Sequence, residues 1–225
     1  RRVSRYKCRL VVQGFHQRKG VNFTEKYAPV AASTCIRLAV ALATLKDLKM
    51  GCIDICQAFL HADLKKDEVV YVQPPKGYEE EDGKVWLLSK ALYGLIQAPL
   101  RYFEKFSAVV KDFGMVPVGF EGCMYVARKN GKTLWLVTYV DDCLLLYDDE
   151  EFATELKNFI GKEFKYTDEG ALAWHLGVKY EKDAGHCTTT LTQSNYIEEL
   201  LRDYCMERCN PAPTAFPSGF IPTNK

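Results

Sequence analysis

The chain has 225 residues, 48% hydrophobic and 26% charged. That is enough apolar surface for one substantial core or two small ones, and it excludes disorder as the main state. Thirty Lys and Arg against 29 Asp and Glu leave a net charge of +1, which excludes a wholly basic nucleic-acid coat but not a local basic groove.

In chain order, the charge is concentrated at the start. Arg1, Arg2, Arg5, Lys7, Arg9, Arg18, Lys19 and Lys26 face Glu25 alone, so residues 1–26 sum to +7 and the remainder to −6. Such an arm suits a polyanion gripped at one edge, the alternative being a solvated charged terminus. Tyr6–Val12 reads as a strand, with Arg9 beside the β-branched pair Val11–Val12, and Gly14 and Gly20 bracket a basic loop. From an N-cap at Ser33 or Thr34, a nearly all-apolar helix is predicted to about Lys49, with Ile36, Ala39, Val40 and Ala43 on one face and Gly51 ending it. A short strand, Cys52–Ile55, holds Asp54 in otherwise apolar company. Residues 61–84, charged and Pro-rich around Gln73-Pro74-Pro75, read as a surface excursion.

Pro99 begins a helix whose stripe Leu100, Phe103, Phe106, Val110 and Phe113 closes at Gly114. Strands around Cys123–Arg128 and Leu134–Val140 are joined through Asn130-Gly131, a strong hairpin signal, and a third, Cys143–Tyr147, resumes after Asp141-Asp142. Asp149 caps an amphipathic helix carrying Phe152, Leu156, Phe159 and Ile160. A strand near Leu172–Tyr180, a helix from Ser194 to about Tyr204 and a Pro-rich linker over 211–225 complete the pass. There are no internal repeats.

Nine cysteines, odd in number and without a C-x-x-C pair, read as reduced thiols in an intracellular compartment rather than as a zinc site. No signal peptide is apparent. The longest apolar stretch, Leu134–Leu146, is too short for a bilayer and is broken by two aspartates, so no membrane partner is expected. The chain opens without an initiator Met and reads as a fragment.

From residue 50 the order is strand, helix, three strands, helix, strand. Stripped of one added hairpin strand, that is the split β-α-β pattern of a ferredoxin-like antiparallel sheet in an α+β fold. Its first and third strands lie side by side, so Asp54 would face the tip carrying Asp141 and Asp142. Apolar runs flanking adjacent anions demand compensation, because an uncompensated buried carboxylate costs roughly several kcal/mol. A basic partner, a proton or a divalent cation would serve. An exposed β-turn would remove the need at Asp141-Asp142, and Asp54 could instead cap residues 55–60 as a short helix. Taken together, three converging carboxylates favour two-metal phosphoryl or nucleotidyl transfer.

Tyr139-Val140-Asp141-Asp142 is the Tyr-x-Asp-Asp box of reverse transcriptases, and the chain resembles the copia-type retrotransposon polymerases in several ordered segments. Tyr6-Lys-Cys-Arg-Leu-Val-Val-Gln-Gly-Phe15 is similar to their fingers strand. Tyr27-Ala-Pro-Val30 with Ile36-Arg37 follows it. Ile53-Asp54-Ile-Cys-Gln-Ala-Phe-Leu60 and Val70-Tyr-Val-Gln-Pro-Pro75 resemble the first carboxylate motif and its continuation. Leu88-Ser-Lys-Ala-Leu-Tyr-Gly-Leu-Ile-Gln-Ala-Pro99 resembles the nucleotide and template motif, and Phe164 to Leu176-Gly177 the primer-grip region. The similarity spans about residues 6–213.

The resemblance implies an RNA-directed DNA polymerase with a right-hand fingers and palm architecture, the palm being the ferredoxin-like sheet with helices on one face. Residues 1–49 would be partial fingers, 50–60 and 98–180 palm, 61–97 an insertion with the nucleotide motif, and 181–210 the start of a thumb or connection. Asp54, Asp141 and the Ile55 carbonyl would hold two Mg²⁺ ions, or Mn²⁺, with Asp142 beside them. Arg9 would reach the nucleotide phosphates or be a plain surface arginine. Phe59 would lie under the sugar or be a core residue of a short helix, and Tyr93 and Gly94 would let the nucleotide approach closely. Gln97, Pro99, Tyr139, Leu176 and Gly177 would contact template and primer. Implied partners are an RNA or DNA template with its primer, deoxynucleotides, and RNase H and integrase regions of a parent Pol polyprotein, in the cytoplasm within a virus-like particle, or in the nucleus.

Ile96, Leu100 and Lys179 depart from the family pattern, Arg101-Tyr102 restoring the second of these one position later, and half of the fingers hairpin is missing. The isolated fragment is therefore expected to be weaker than its parent or inactive. An aspartic protease would need Asp-Thr/Ser-Gly turns, which are absent. An RNase H-type nuclease uses three or four carboxylates on a different strand order, and no fourth candidate stands out. His16, His61, His175 and His186 accompany no nucleophile motif. The remaining alternative is a non-catalytic retrotransposon remnant or domesticated fold that only binds nucleic acid.

Overall fold

A computed structural model describes residues 6–79, 83–119, 121–183 and 187–214, with 185, 216 and 219. Arg1, Arg2 and Arg5 of the basic arm, His186 and most of the expected linker lie outside the described residues. The elements are α1 (Ser33–Leu45), β1 (Lys49–Ile55), α2 (Ala58–His61), β2 (Tyr71–Val72), β3 (Trp86–Leu87), α3 (Ala98–Asp112), β4 (Val116–Val118), β5 (Met124–Lys129), β6 (Lys132–Tyr139), β7 (Asp142–Tyr147), α4 (Glu150–Ile160), β8 (Tyr166–Ala171), β9 (Trp174–His175), β10 (Val178–Asp183), β11 (Thr188–Thr192) and α5 (Ser194–Asp203). No helix among them is long and apolar enough to cross a membrane.

Six strands form one antiparallel sheet in the order β4-β5-β6-β7-β1-β8, flanked by a three-stranded β11-β10-β9 sheet and the β2-β3 pair. The sequence of β7 explains its central place: Cys143 through Tyr147 are apolar without alternation, so both faces must be covered. On one face Cys143, Leu145 and Tyr147 join Ile53 and Ile55 of β1 beneath α3 (Tyr102, Phe106, Val110) and α4 (Phe152, Leu156, Ile160). On the other, Leu144 and Leu146 join Met50 and Cys52 beneath the Ile36, Ala39, Val40 and Ala43 face of α1. The expectation of helices on one face therefore holds for α3 and α4 alone. Each buried leucine contributes roughly 1.5–3 kcal/mol. Slipping β7 by one residue would exchange Cys143 for Asp142 inside the α3/α4 core, so the anion at the strand's end fixes its register.

Several local signals act as their chemistry dictates. Asn130 (φ 53°) and Gly131 (φ 77°) make the tight β5–β6 turn, with twist that matches the flanking strands. The Asp149 carboxylate accepts the Phe152 N–H at 2.9 Å and starts α4, and Pro99 occupies the first turn of α3, where its missing N–H is no loss.

Other expectations are corrected. Helix α1 stops at Leu45, because Asp47 takes a left-handed φ of 50° and sends Leu48 into the core; Gly51 lies within β1. Ser33 and Thr34 fall inside the first turn, and the N-cap is Ala32 with no side-chain bond. Tyr6–Val12 forms no ladder among the described residues: β-propensity makes a strand only where a neighbouring strand pairs with it, and here the Val12 N–H bonds the Tyr93 carbonyl instead. The single strand expected over Leu172–Tyr180 is two, β9 and β10, turned at Leu176 (φ 51°) and Gly177 (φ 74°).

The 61–97 excursion is fastened to α3 by a buried ion pair. Arg101 Nε and Nη2 donate to Glu68 Oε2 and Oε1, both at 2.8 Å, with the side chains only 2% and 3% exposed. Burial alone would raise the Glu68 carboxyl, but the Arg101 hydrogen bonds and the Lys65 N–H hold it below its ordinary value. Its contribution is thus present at neutral pH and lost as pH falls through the depressed value. Glu68→Gln is expected to cost about 3 kcal/mol in urea unfolding at pH 7, the low end for a broken buried pair because Glu104 still accepts from Arg101, and Glu68→Leu with Arg101→Leu should recover most of it. A single-variant loss below about 1 kcal/mol would show that the pair behaves as an exposed one.

Candidate functional site

The last residue pair of the β1–β7 ladder is Asp54 with Asp142. Alternation puts Asp54 on the Cys52 face and Asp142 on the Leu144 face, which is one face of the sheet. Asp141 sits in the two-residue turn between β6 and β7, after Val140. Val140 has a φ of 57°, a conformation that costs a β-branched residue about 1–3 kcal/mol. The Asp141 carbonyl accepts the Ile55 N–H at 2.9 Å, which bolts this turn to the end of β1. All three carboxylates thus gather at one end of two core strands.

Their electrostatics reflect the crowding. The Asp54 carboxyl is raised by burial and by Asp141, with Lys7 opposing. Asp142 is pushed up to about 6 by burial, then by Asp141, Asp54 and Glu169. Among the described residues none of the three forms an ion pair. Asp141 and Asp142 are half-buried, not at a solvent-exposed tip. Asp54 caps no helix, since Gln57 precedes α2.

Glu169 is a fourth carboxylate that the sequence did not reveal. The β1–β8 register shifts so that Cys52 pairs with Gly170 and Ile53 with Asp168, leaving Glu169 bulged between them. There its charge helps to raise both the Cys52 thiol and the Asp142 carboxyl, after burial. Bulges re-aim side chains in this way, and Gly170 (φ 74°) was the one local hint.

A cavity of about 460 Å³ opens beside these groups, lined by Asp54, Ile55 and Asp141 together with Lys7, Arg9 and Tyr93. The Arg9 guanidinium lies over the Tyr93 ring, 4.6 Å from its centroid, and the Phe59 ring is 5.1 Å from that of Tyr93. Phe59 is half-buried against the core and reaches the cavity through Tyr93. Cationic groups and carboxylates in one cavity suit a polyphosphate that arrives with a divalent cation. Among the described residues no group of three or more His, Cys, Asp and Glu side chains is placed to hold a metal ion. Asp54, Asp141 and the Ile55 carbonyl would hold Mg²⁺ only as an open oxygen set that substrate phosphates complete.

The remaining predicted residues lie elsewhere. Gly94 (φ 89°) is packed by its own chain, since a Cβ there would overlap the Val12 carbonyl; the close approach expected of a nucleotide is made by residues 12–14. Gln97 has no exposed surface. It accepts from Gln17 Nε2 at 3.0 Å and donates to the Asn22 carbonyl at 3.1 Å, so its amide is used inside the protein and does not reach a template. Pro99 joins Val140 and Ala28–Val30 around a small apolar pocket. Tyr139 pairs with Asp142 across the turn. Leu176 and Gly177 form the β9–β10 turn and are not among the cavity walls.

A profile described as reverse transcriptase (RNA-dependent DNA polymerase) matches residues 1–217. The chain belongs to that family. It is 36% identical over 216 residues to the retrovirus-related Pol polyprotein from transposon TNT 1-94 of Nicotiana tabacum, covering 95% of this chain and 16% of that protein. It is 29% identical over 214 residues to the corresponding polyprotein from transposon RE1 of Arabidopsis thaliana, covering 94% and 14%. A putative transposon Ty5-1 protein of Saccharomyces cerevisiae is 28% identical over 147 residues, covering 64% and 47%. The chain thus spans a small part of the Pol polyproteins it matches, and within this family it is of the copia type.

The raised Asp142 carboxyl makes a pH-dependent stability prediction for this family member. The folded state holds its proton to about pH 6, whereas an unfolded aspartate releases it near 4, so stability falls as pH rises through that window. Asp142→Asn should raise Tm at pH 7.5 in metal-free buffer by about 2–4 °C, corresponding to about 1 kcal/mol once solvent screening of this half-exposed group is allowed for. The gain should vanish at pH 4. A gain that is equal at both pH values would show that it does not come from this charge.

Proposed function

We propose that the chain is the polymerase part of a copia-type Pol polyprotein, adding deoxynucleotides to a primer 3′-hydroxyl on an RNA or DNA template. The observation that carries this reading is the Asp54–Asp142 register with Asp141 bolted to β1 by the Ile55 N–H. Three mutually repelling carboxylates beside buried strands make sense where cations and phosphates neutralise them. A remnant that only bound nucleic acid would gain nothing from holding them there.

The strand order β8-β1-β7-β6 supports reading the large sheet as a ferredoxin-like palm with β4 and β5 added at its edge. The partition follows the motifs: residues 1–49 partial fingers, 50–60 and 98–180 palm, 61–97 the nucleotide-motif insertion, 181–210 the start of a thumb or connection, and 211–225 linker.

Asp54 and Asp141, with the Ile55 carbonyl, would hold two Mg²⁺ or Mn²⁺ ions, and Asp142 would set the charge beside them. Bound there, such ions lower the pKa of the attacking hydroxyl and neutralise charge on the departing pyrophosphate. Arg9, held on the Tyr93 face in the same cavity, meets the triphosphate, and the Phe59–Tyr93 pair borders the sugar. Template and primer run past Tyr139 and the Leu176–Gly177 turn, and RNase H and integrase act from other parts of the polyprotein. Nine free thiols support an intracellular setting, the cytoplasm or nucleus.

Asp141→Asn is expected to abolish primer extension while Tm holds or rises, because one anion leaves a crowded site. Activity lost together with a Tm fall of more than about 5 °C would mark a structural role instead. Phe59→Val should raise the kcat/KM of ribonucleotides relative to deoxyribonucleotides by roughly tenfold to a hundredfold, since discrimination against one added hydroxyl is steric. An unchanged ratio with stability reduced by about 1–3 kcal/mol would make the ring packing alone.

A further inference from the structure

The loop from Val12 to Asn22 is joined to residues 93–97 by an interlocked set of polar contacts. Gln17 Oε1 accepts the Ile96 N–H at 2.8 Å, and Gln17 Nε2 donates to Gln97 Oε1 at 3.0 Å. Gln97 Nε2 donates in turn to the Asn22 carbonyl at 3.1 Å. At the loop's other end the Val12 N–H donates to the Tyr93 carbonyl at 2.8 Å. Between these ends the Gly14 and Gly94 backbones pack so closely that a Cβ on Gly14 would overlap the Gly94 carbonyl oxygen. Only glycines allow that approach.

Arg9 lies three residues before Val12 and stacks on Tyr93, whose carbonyl takes the Val12 N–H. Residues 6–12 have no strand ladder of their own among the described residues, so the anchorage of Arg9 begins at Val12. A part-buried amide pair has a geometric demand that apolar packing lacks, because each donor and acceptor must be met in one register.

We infer that Gln17 is a positioning residue: through Ile96 and Gln97 it locks the 12–17 loop onto the 93–96 turn and so sets Arg9 over Tyr93 at the wall of the cavity. Its consequence for nucleotide binding rests on the polymerase reading above; the lock itself does not. Gln17 is partly exposed, so substitution there does not open the core.

The test uses the full chain with Gln17→Met, which keeps length and removes the polar atoms, and Gln17→Glu, which keeps the acceptor for Ile96. Hydrogen exchange at the Val12 amide should quicken by about tenfold or more in Gln17→Met, with Gln17→Glu intermediate. In primer extension the KM for deoxynucleotide should rise about tenfold in Gln17→Met while kcat stays within about threefold. On an Arg9→Ala background the same substitution should leave KM unchanged, because it acts through Arg9. Unaltered Val12 exchange overturns the lock, and a KM rise that persists without Arg9 overturns the positioning role. Should the unmodified chain extend no primer, the Kd for deoxynucleotide takes the place of KM, and Val12 exchange still decides the lock.

Discussion

Antiparallel pairing of β1 with β7 is the constraint from which the rest of the molecule follows. Both strands are covered on two faces, by α3 and α4 on one and α1 on the other, and their shared ladder closes on the pair Asp54 and Asp142. Apolar burial drives the strands together, and the carboxylates stop them at a single register, since a slip would bury an anion. The same pairing therefore supplies the core's stability and concentrates negative charge at one end of it. Strain at Val140 and the raised Asp142 carboxyl are two local costs of that concentration, and a site that stores such costs is one whose working state contains opposite charge.

The basic part of the cavity is built by different means. Arg9 and Lys7 come from a segment without strand pairing, held by backbone contact between two glycines and by glutamine amides. Carboxylates on core strands thus share one cavity with cations on a docked loop. On the proposed reading the acidic strands would take cations and the basic segment would take phosphates.

Much of the architecture was legible from local chemistry. Asn130-Gly131, the Asp149 cap, Pro99 and the stripe of α3 each specify an element through a mechanism that acts within a few residues, and each is realised. Convergence of Asp54 with Asp141 and Asp142 was also readable, because element order restricts which strands can be neighbours. The failures have physical reasons. Strands β8 and β11 are polar edge strands, with sequences YTDEGA and TTTLT, whose apolar alternation is too weak to announce them. Tyr6–Val12 has strand composition but pairs with no strand among the described residues. Glu169 reaches the acidic face through a bulge, a register property absent from local pattern. Gln97 stands in a motif that suggests a template contact, yet its amide faces inward, and only tertiary packing decides which way a glutamine points.

On the proposed reading Asp54 and Asp141 share divalent cations across the β1–β7 end. The most direct measurement is anomalous diffraction from a crystal of the chain with primer–template, deoxynucleotide and Mn²⁺. The account requires Mn²⁺ between the two carboxylates and the triphosphate, with any pair of ions about 3.5–4 Å apart. Carboxylates separated by more than about 10 Å, or Mn²⁺ bound only elsewhere, would contradict it, because no shared-metal transfer could then occur at this end of the sheet.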